Sequence, residues 1–450
     1  MSPAGRDAVV IGAGFAGLLA ARVLSEFCAR VTILERDVLL DGGVRRGVPQ
    51  GRHLHGLLDR GRAILEELYP GYTEELVRQG ATTAEVLVGT RWYVGGARLT
   101  PTPTGLTSVI ATRPLLESVL RQRTLALPNV ELREGLTVSG LTGDPDRVSG
   151  VIVGRDGEAA TIPADLVVDA SGRGSRIREW LGGIGAEPPP EEELEVDLGY
   201  ASRVYRHRDG QLDGQSSVIV STGKNGRGGG AVRVEGNRWL VTLAGMLGDH
   251  PPTDPAGFQE YAGTLTTPDI HEIITGSQAL DDAVPYRFRA ATRRRFDRMP
   301  TSPSGLLVLG DAQCAFNPLY AQGMTVAALE ALALRACLAG EPSPSELPAR
   351  FHTAAAESVE LAWRLAAESD LSNPGVAGER TVRTRLTNAF VARAHRAAHH
   401  DPRVARTFMR VAHLVEAPAA LTDPGIVGRI VLRGTGLSLT SSSHRRTQED

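Results

Sequence analysis

Lysine is almost missing from this chain: Lys224 is the only one, and arginine supplies nearly all of the positive charge. Any mechanism that needs a lysine beside its oxidant must therefore use that single residue. Cysteine is scarce too. Cys28, Cys314 and Cys337 form no C-x-x-C or C-x4-C pair, which argues against a dithiol reductase or a zinc site and fits a reducing compartment. The formal net charge is only -3, so no global field points to nucleic acid as a partner. No stretch reaches the roughly 18 apolar residues that a membrane span needs. The opening Met1 to Arg6 is too short for a signal peptide, and the apolar run Val9 to Ile11 breaks at glycine. The expected location is cytoplasmic, with neither nucleic acid nor membrane as a partner.

What is present is a long chain, 450 residues with 42% apolar content, enough for two or three compact units around a large core. Asp7 to Ile11 reads as a buried strand, Gly14 to Cys28 as an Ala/Leu-rich helix and Val31 to Glu35 as the next strand, together a β-α-β unit. Thr112 to Arg123 has helical spacing, while Val130 to Leu132, Val151 to Val153 and Leu166 to Asp169 read as short strands. After Glu187-Pro188-Pro189-Pro190, which looks like a linker, alternation sets in at Leu194, Val196, Leu198 and Tyr200, and again at Val218/Val220 and Val232/Val234. Helical patterns return at Phe351 to Ala367, Arg380 to His400 and Val404 to Val415, before a tail from Ser441 to Asp450.

Three separated segments have the form of a strand that ends in a turn suited to a nucleotide. Gly12-x-Gly14-x-x-Gly17 lies where strand becomes helix, which lets the backbone approach a pyrophosphate; Glu35 ends the next strand, placed to accept hydrogen bonds from a ribose. Leu166 to Asp169 leads into Ala170-Ser171-Gly172, with Ser175 in position to cap the next helix. Leu306 to Leu309 leads into Gly310-Asp311, then Asn317-Pro318 and Gln322-Gly323-Met324, where a new helix opens with free N–H groups that suit an anionic ring edge. The pairing of first and third segments points to flavin instead of nicotinamide. No second dinucleotide fingerprint exists, so electrons must come from NAD(P)H docking transiently or from a separate flavin reductase.

These segments resemble the para-hydroxybenzoate hydroxylase-like superfamily of FAD-dependent monooxygenases. The resemblance implies an α/β fold: a Rossmann-like, glutathione reductase-like FAD-binding domain, an inserted antiparallel β-sheet substrate domain and a C-terminal helical region. The FAD domain would be discontinuous over residues 1–75, 100–186 and 285–340, the substrate domain would take 76–99 and 187–284, and helices would fill 341–440. By the same resemblance Gly12, Gly14, Gly17, Glu35 and Arg36 hold the ADP half, Arg45 reaches the pyrophosphate or ribityl chain, and Arg113 borders the flavin. Asp311 would bind the ribityl hydroxyls, Gly323 and Met324 the pyrimidine edge, and the contacts extend to Phe15, Ala16, Gln50, His53, Val138, Asp169, Ser171 and Pro318. Where the family writes Gly-Gln-Gly, this chain has Ala321-Gln322-Gly323.

In the family, one oxygen atom of O2 passes from a flavin C4a-hydroperoxide to the substrate, and the protein positions that substrate and excludes water. No catalytic triad, acid-base pair or metal site is assigned. Arg45-x-Gly47-Val48-Pro49-Gln50-Gly51-Arg52-His53-x-His55, with Phe316 to Ala328, looks like actinobacterial polyene epoxidases of the monensin and lasalocid type. That resemblance implies alkene epoxidation in polyketide or polyether antibiotic biosynthesis, on a small hydrophobic substrate in a greasy tunnel lined by residues such as Tyr200, Val218, Trp239, Leu243 and Phe288. An aromatic, phenol-type hydroxylase and a geranylgeranyl-type flavin alkene reductase remain alternatives. A flavin-dependent halogenase would need a lysine by the tunnel and a Trp-x-Trp-x-Ile-Pro stretch, and neither is found. His53 and His55 read either as flavin contacts or proton relay, or as residues that cap and pack the following helix. Cys314 reads as a small buried hydrophobe, and Arg293-Arg294-Arg295 as a solvated basic patch.

Overall fold

The computed structural model describes residues 4–39, 49–155, 158–223 and 225–434; Arg45, Lys224 and the tail from Ser441 lie outside them. Five parallel strands form one sheet in the order Leu306–Val308, Leu166–Asp169, Ala4–Ile11, Cys28–Glu35, Val130–Glu134. Their apolar residues are buried on both sides, as parallel sheets require. Ala8, Val10, Val31 and Ile33 face the helices Phe15–Leu24, Asp59–Leu68 and Gly323–Ala339. Val9, Ile11, Leu34 and Val167 face a three-stranded antiparallel sheet and the helix Ile177–Gly183. The short strands read around residues 130 and 151 thus belong to different sheets, because Arg147–Arg155 forms its ladders with its antiparallel neighbours Thr137–Asp144 and Glu158–Pro163.

An eight-stranded sheet holds the rest of the β-structure, in the order Cys314–Ala315, Val284–Arg294, Glu191–Arg206, Arg238–Gly245, Arg227–Val234, Ser217–Val220, Thr90–Val94, Ala97–Arg98. All its pairings are antiparallel except that between Ser217–Val220 and Thr90–Val94. A boundary at residue 284/285 would cut one of these strands from its sheet, since Val284–Arg294 pairs with Glu191–Arg206 along nearly its whole length. One face of the sheet packs Val218, Trp239, Val241 and Leu243 against the helices Pro255–Gly263 and Asp269–Gly276. The other face turns toward the parallel sheet and the C-terminal helices Leu347–Asp370, Val382–Ala398 and Pro402–Ala412. Among the described residues no helix is long and apolar enough to cross a membrane.

Arg293-Arg294-Arg295 is not a solvated patch. Arg293 is 5% exposed and Arg295 8%, because the strand alternation turns both inward against acidic neighbours. Arg293 donates through Nε (3.0 Å) and Nη2 (2.5 Å) to Glu192 and through Nη1 (2.6 Å) to Glu360, while Arg295 bonds both Glu192 (3.1 Å) and Asp297 (2.6 Å). Arg294 reaches Glu191 (2.9 Å) and the carbonyl of Ala312 (2.6 Å). Arginine's planar fork is what lets three consecutive residues tie two strands, a C-terminal helix and the Asp311 loop together. Arg293→Ala removes the central cation of this network. It is expected to lower unfolding stability by about 2 kcal/mol, less than for a fully buried pair because the carboxylates left behind are partly hydrated. A lower urea midpoint at unchanged slope checks this.

Candidate active site

Ligands of doubly wound sheets lie beyond the carboxyl ends of the strands, and here that edge collects segments almost three hundred residues apart. Ile11, Glu35, Asp169 and Val308 end four adjacent strands. The backbone stitches their exits together: Gly12 N–H donates to Leu34 O (2.8 Å), Ala170 N–H to Ile11 O (3.0 Å), and Leu309 N–H to Asp169 O (3.1 Å). Two glycines make the first turn possible. Gly12 has φ +98°, and a Cβ there would lie 2.7 Å from Ala170 O; a Cβ on Gly17 would lie 1.9 Å from Gly12 O. Glu35, 4% exposed, closes the turn by accepting from Ala13 N–H (2.9 Å) and Asp37 N–H (3.0 Å).

Above this edge lies a cavity of about 2500 Å³. Gly12, Gly14, Phe15, Ala16, Glu35, Arg36, Gln50, His53, Arg113, Val138, Ser171, Asp311, Pro318, Gly323 and Met324 all line it. Two of the expected contact residues do not. Gly17 is a packing glycine behind the turn, and Asp169, 0% exposed, spends its carboxylate on Ser171 N–H (2.9 Å) and Ser175 O–H (2.5 Å). Asp169 is therefore a strut: it holds Ser171 on the wall and Ser175 where its Oγ accepts from Ile177 N–H (3.1 Å). Arg113 is held by Glu117, with Nε and Nη2 at 2.8 and 2.7 Å, and stands over the ring of Phe15 at 5.2 Å.

The Gly310–Met324 segment joins the two large sheets, since Leu306–Val308 lies in one and Cys314–Ala315 in the other. Gly310 takes φ +64°, and its N–H donates to Glu330 Oε2 (2.8 Å). Glu330 is 0% exposed, its Oε1 has no hydrogen-bond partner among the described residues, and burial pushes its carboxyl up to about 8, helped by the nearby Asp311. Burial raises Asp311 as well, opposed by Arg113 and Arg173. Ala321 has φ +53° and ψ 25°, so the backbone keeps a glycine-type left-handed turn although the residue has a Cβ. That Cβ sits where a side chain on Gly56 would meet it at 3.0 Å.

His53 and His55 both line the cavity, and neither caps the helix Asp59–Leu68, whose first N–H, that of Asp59, donates to His413 Nδ1 (3.2 Å). His53 Nδ1 shares a hydrogen bond with Ser202 Oγ (2.7 Å), which is bonded in turn to Thr242 Oγ1 (2.6 Å), and its ring packs on Tyr286. Burial lowers His53 to about 4 and His55 to about 3, so both are neutral near pH 7. Cys314 lies off the cavity in a cluster with Phe316, Val326 and Val359.

Of the expected tunnel residues, Tyr200 and Phe288 line the cavity, whereas Val218, Trp239 and Leu243 belong to the opposite face of the sheet. Side chains alternate along a strand, and the cavity face carries Ile219, Thr242 and Ala244. The sequence reading missed the polar set above Tyr320. Asp370, the last residue of its helix and 1% exposed, accepts from Tyr320 O–H and Asn317 Nδ2, each at 2.8 Å, and burial pushes it up to about 7.

FAD fits these residues on a physical criterion. The helices Phe15–Leu24 and Gly323–Ala339 both open on the cavity without a side-chain cap. Thr112, Asp254, Thr381, Asp401 and Asp423 cap other helices, and five more helices also start without such a cap, so it is the position of these two ends on the cleft that counts. Uncapped N–H groups suit a bound anion, and two such ends along one cleft suit a pyrophosphate and an electron-rich ring.

Fold and cleft together define a dinucleotide-binding flavoprotein. Residues 6–369 match the FAD binding domain family, and the chain belongs to it. Over 455 aligned residues it is 32% identical to Protein Rv3254 of Mycobacterium tuberculosis, covering 98% of this chain and 96% of the relative. It is 27% identical to kynurenine 3-monooxygenase of Salinispora arenicola, over 77% of this chain and 75% of that one. The solved p-nitrophenol 4-monooxygenase PnpA of Pseudomonas putida shares the fold at TM-score 0.63 and 17% identity, covering 91% of this chain and 97% of that one. The protein is an FAD-dependent monooxygenase; FAD supplies the redox chemistry and the activation of O2.

Two substitutions examine the loop that joins the sheets. Ala321→Gly relieves a left-handed residue and is expected to raise stability by about 1 kcal/mol, read as a higher urea midpoint. Glu330→Gln keeps an acceptor for Gly310 N–H but cannot ionise. A carboxyl raised in the folded state contributes stability that is full below its unfolded value near 4.5 and lost as pH rises through about 8. The variant is expected to show a flatter decline of stability across that window, checked by denaturation at a series of pH values.

Proposed function

We propose that FAD lies along the strand ends, its pyrophosphate at Gly12, Gly14, Phe15 and Ala16 and its adenosine ribose at Glu35 and Arg36. The ribityl chain then meets Asp311, and the flavin lies between Arg113, Gln50, His53 and Pro318 on one side and the backbone of Gly323 and Met324 at its pyrimidine edge. Val138 and Ser171 complete the nucleotide wall, and Arg45 adds its charge at the pyrophosphate or ribityl chain. Reducing equivalents come from NAD(P)H docking transiently or from a separate flavin reductase.

In this reading the enzyme inserts one oxygen atom of O2 into a hydrophobic substrate, by alkene epoxidation in polyketide or polyether biosynthesis. The supporting observation is the cavity itself, whose walls include the apolar Phe316 and Leu319 of the Gly310–Met324 segment and, away from it, Ile219 and Phe390. A long apolar chain gains most from such burial. One observation favours a second reading, hydroxylation of a phenol-type ring: Tyr320, Asn317 and the buried carboxyl of Asp370 form a polar set on the same wall. The test is product mass under labelled dioxygen, with reduced flavin and either a polyene or a polycyclic phenol. Label in an epoxide supports the first reading and label in a phenol the second. Turnover that persists without oxygen, with no label incorporated, overturns both in favour of an alkene reductase.

A further inference from the structure

The cavity has a second polar feature, separate from the flavin loop and from Asp370. Trp92, on the strand Thr90–Val94, and His413, directly after the helix Pro402–Ala412, both line the cavity, with ring centroids 6.4 Å apart and planes at 68°. His413 lies beyond residue 369, outside the stretch that the family match covers. It is 3% exposed. Asp59 N–H donates to its Nδ1 at 3.2 Å. A ring nitrogen that accepts carries no proton, so the proton of the neutral imidazole sits on Nε2. The ring stays neutral near pH 7, because burial pushes it down to about 4 against the opposing pull of Asp59 and Glu85.

His413 Nε2 and Trp92 Nε1 are thus both N–H donors, and among the described residues neither has a hydrogen-bond partner. Around Trp92 the packing is apolar, with Phe390 and Phe408 on one cluster with Val94 and Met409, while Asp59 and Glu85 lie near His413. The polar neighbour on the same strand, Thr90, is already bonded to Ser217 Oγ at 2.6 Å. Buried donors left without a partner destabilise a fold, and an acceptor that arrives with a ligand recovers that loss. Two donors without an accompanying acceptor select a group that only accepts, and beside the carboxylates of Asp59 and Glu85 a neutral carbonyl oxygen suits them better than an anion.

We propose that Trp92 and His413 form a carbonyl-binding subsite, which orients a ketone- or ester-bearing substrate by its oxygen while the carbon to be oxygenated faces the flavin. The subsite rests on the reading that this cavity receives the substrate. Its test needs no turnover: equilibrium dialysis of the oxidised, FAD-loaded protein against 2-acetylanthracene and the matched hydrocarbon 2-ethylanthracene. Trp92→Phe and His413→Phe are each expected to weaken ketone binding about tenfold while hydrocarbon binding stays within about twofold. Equal losses for both ligands would reveal packing alone and overturn the subsite, as would ketone binding that survives both substitutions. Because His413→Phe also strips a partner from Asp59 N–H, a measurement on the unaltered protein stands beside it. The infrared carbonyl stretch of bound, isotope-labelled 2-acetylanthracene is expected below its position in dioxane, and an unshifted band overturns the proposal. Binding of neither ligand overturns it too, whereas labelled oxygen entering some other substrate in the same preparation keeps the monooxygenase reading intact.

Discussion

Everything at the cofactor end depends on one close approach, that of Gly17 to the carbonyl of Gly12. With no Cβ in the way, the helix Phe15–Leu24 starts directly at the strand end and leaves its first N–H groups facing the cleft. A methyl group there, 1.9 Å from that oxygen, would push helix and strand apart and unseat Glu35, whose carboxylate is bonded to Ala13 N–H in the same turn. The contact is steric, yet its product is electrostatic: an oriented row of donors and a helix dipole aimed into the cleft.

A second constraint couples the two sheets. The chain leaves the parallel sheet at Val308, passes Gly310 and Asp311, and enters the eight-stranded sheet at Cys314, with Arg294 bonded to Ala312 O across the junction. Asp311 therefore sits on a bridge anchored at both ends. Ala321, held in a left-handed conformation opposite Gly56, shows that the fold accepts local strain to keep the next turn of that bridge close to the cleft.

The cofactor end was legible in the sequence because its signals are local. Glycine spacing, a carboxylate at a strand end and a strand-to-helix switch each occupy a few consecutive residues, and each segment forms the strand and turn that its pattern implied. The large sheet was legible as strands but not by face. Leu240, Val241, Thr242 and Leu243 are all buried, and Thr242 alone marks the cavity parity, too faint a signal against three apolar neighbours, so Val218, Trp239 and Leu243 were placed on the wrong side. Asp169 was read as a cofactor contact because an acid after an apolar strand looks alike whether it faces ligand or bonds its own turn. The arginine triplet misled for a related reason, since all of its acidic partners except Asp297 lie about 65 to 100 residues away. Asp370 and His413 had no sequence signal at all: each matters only through neighbours that the fold brings to it.

Aromatic residues are few in this chain, 5% of the total, with four tryptophans among them. Two of the four, Trp92 and Trp180, line the cavity, and they belong to different packed clusters, one with the C-terminal helices and one beneath the nucleotide-binding edge. Trp239 and Trp363 do not line it. The enzyme thus carries two built-in optical reporters, whose emission answers to events on separate walls of the same chamber.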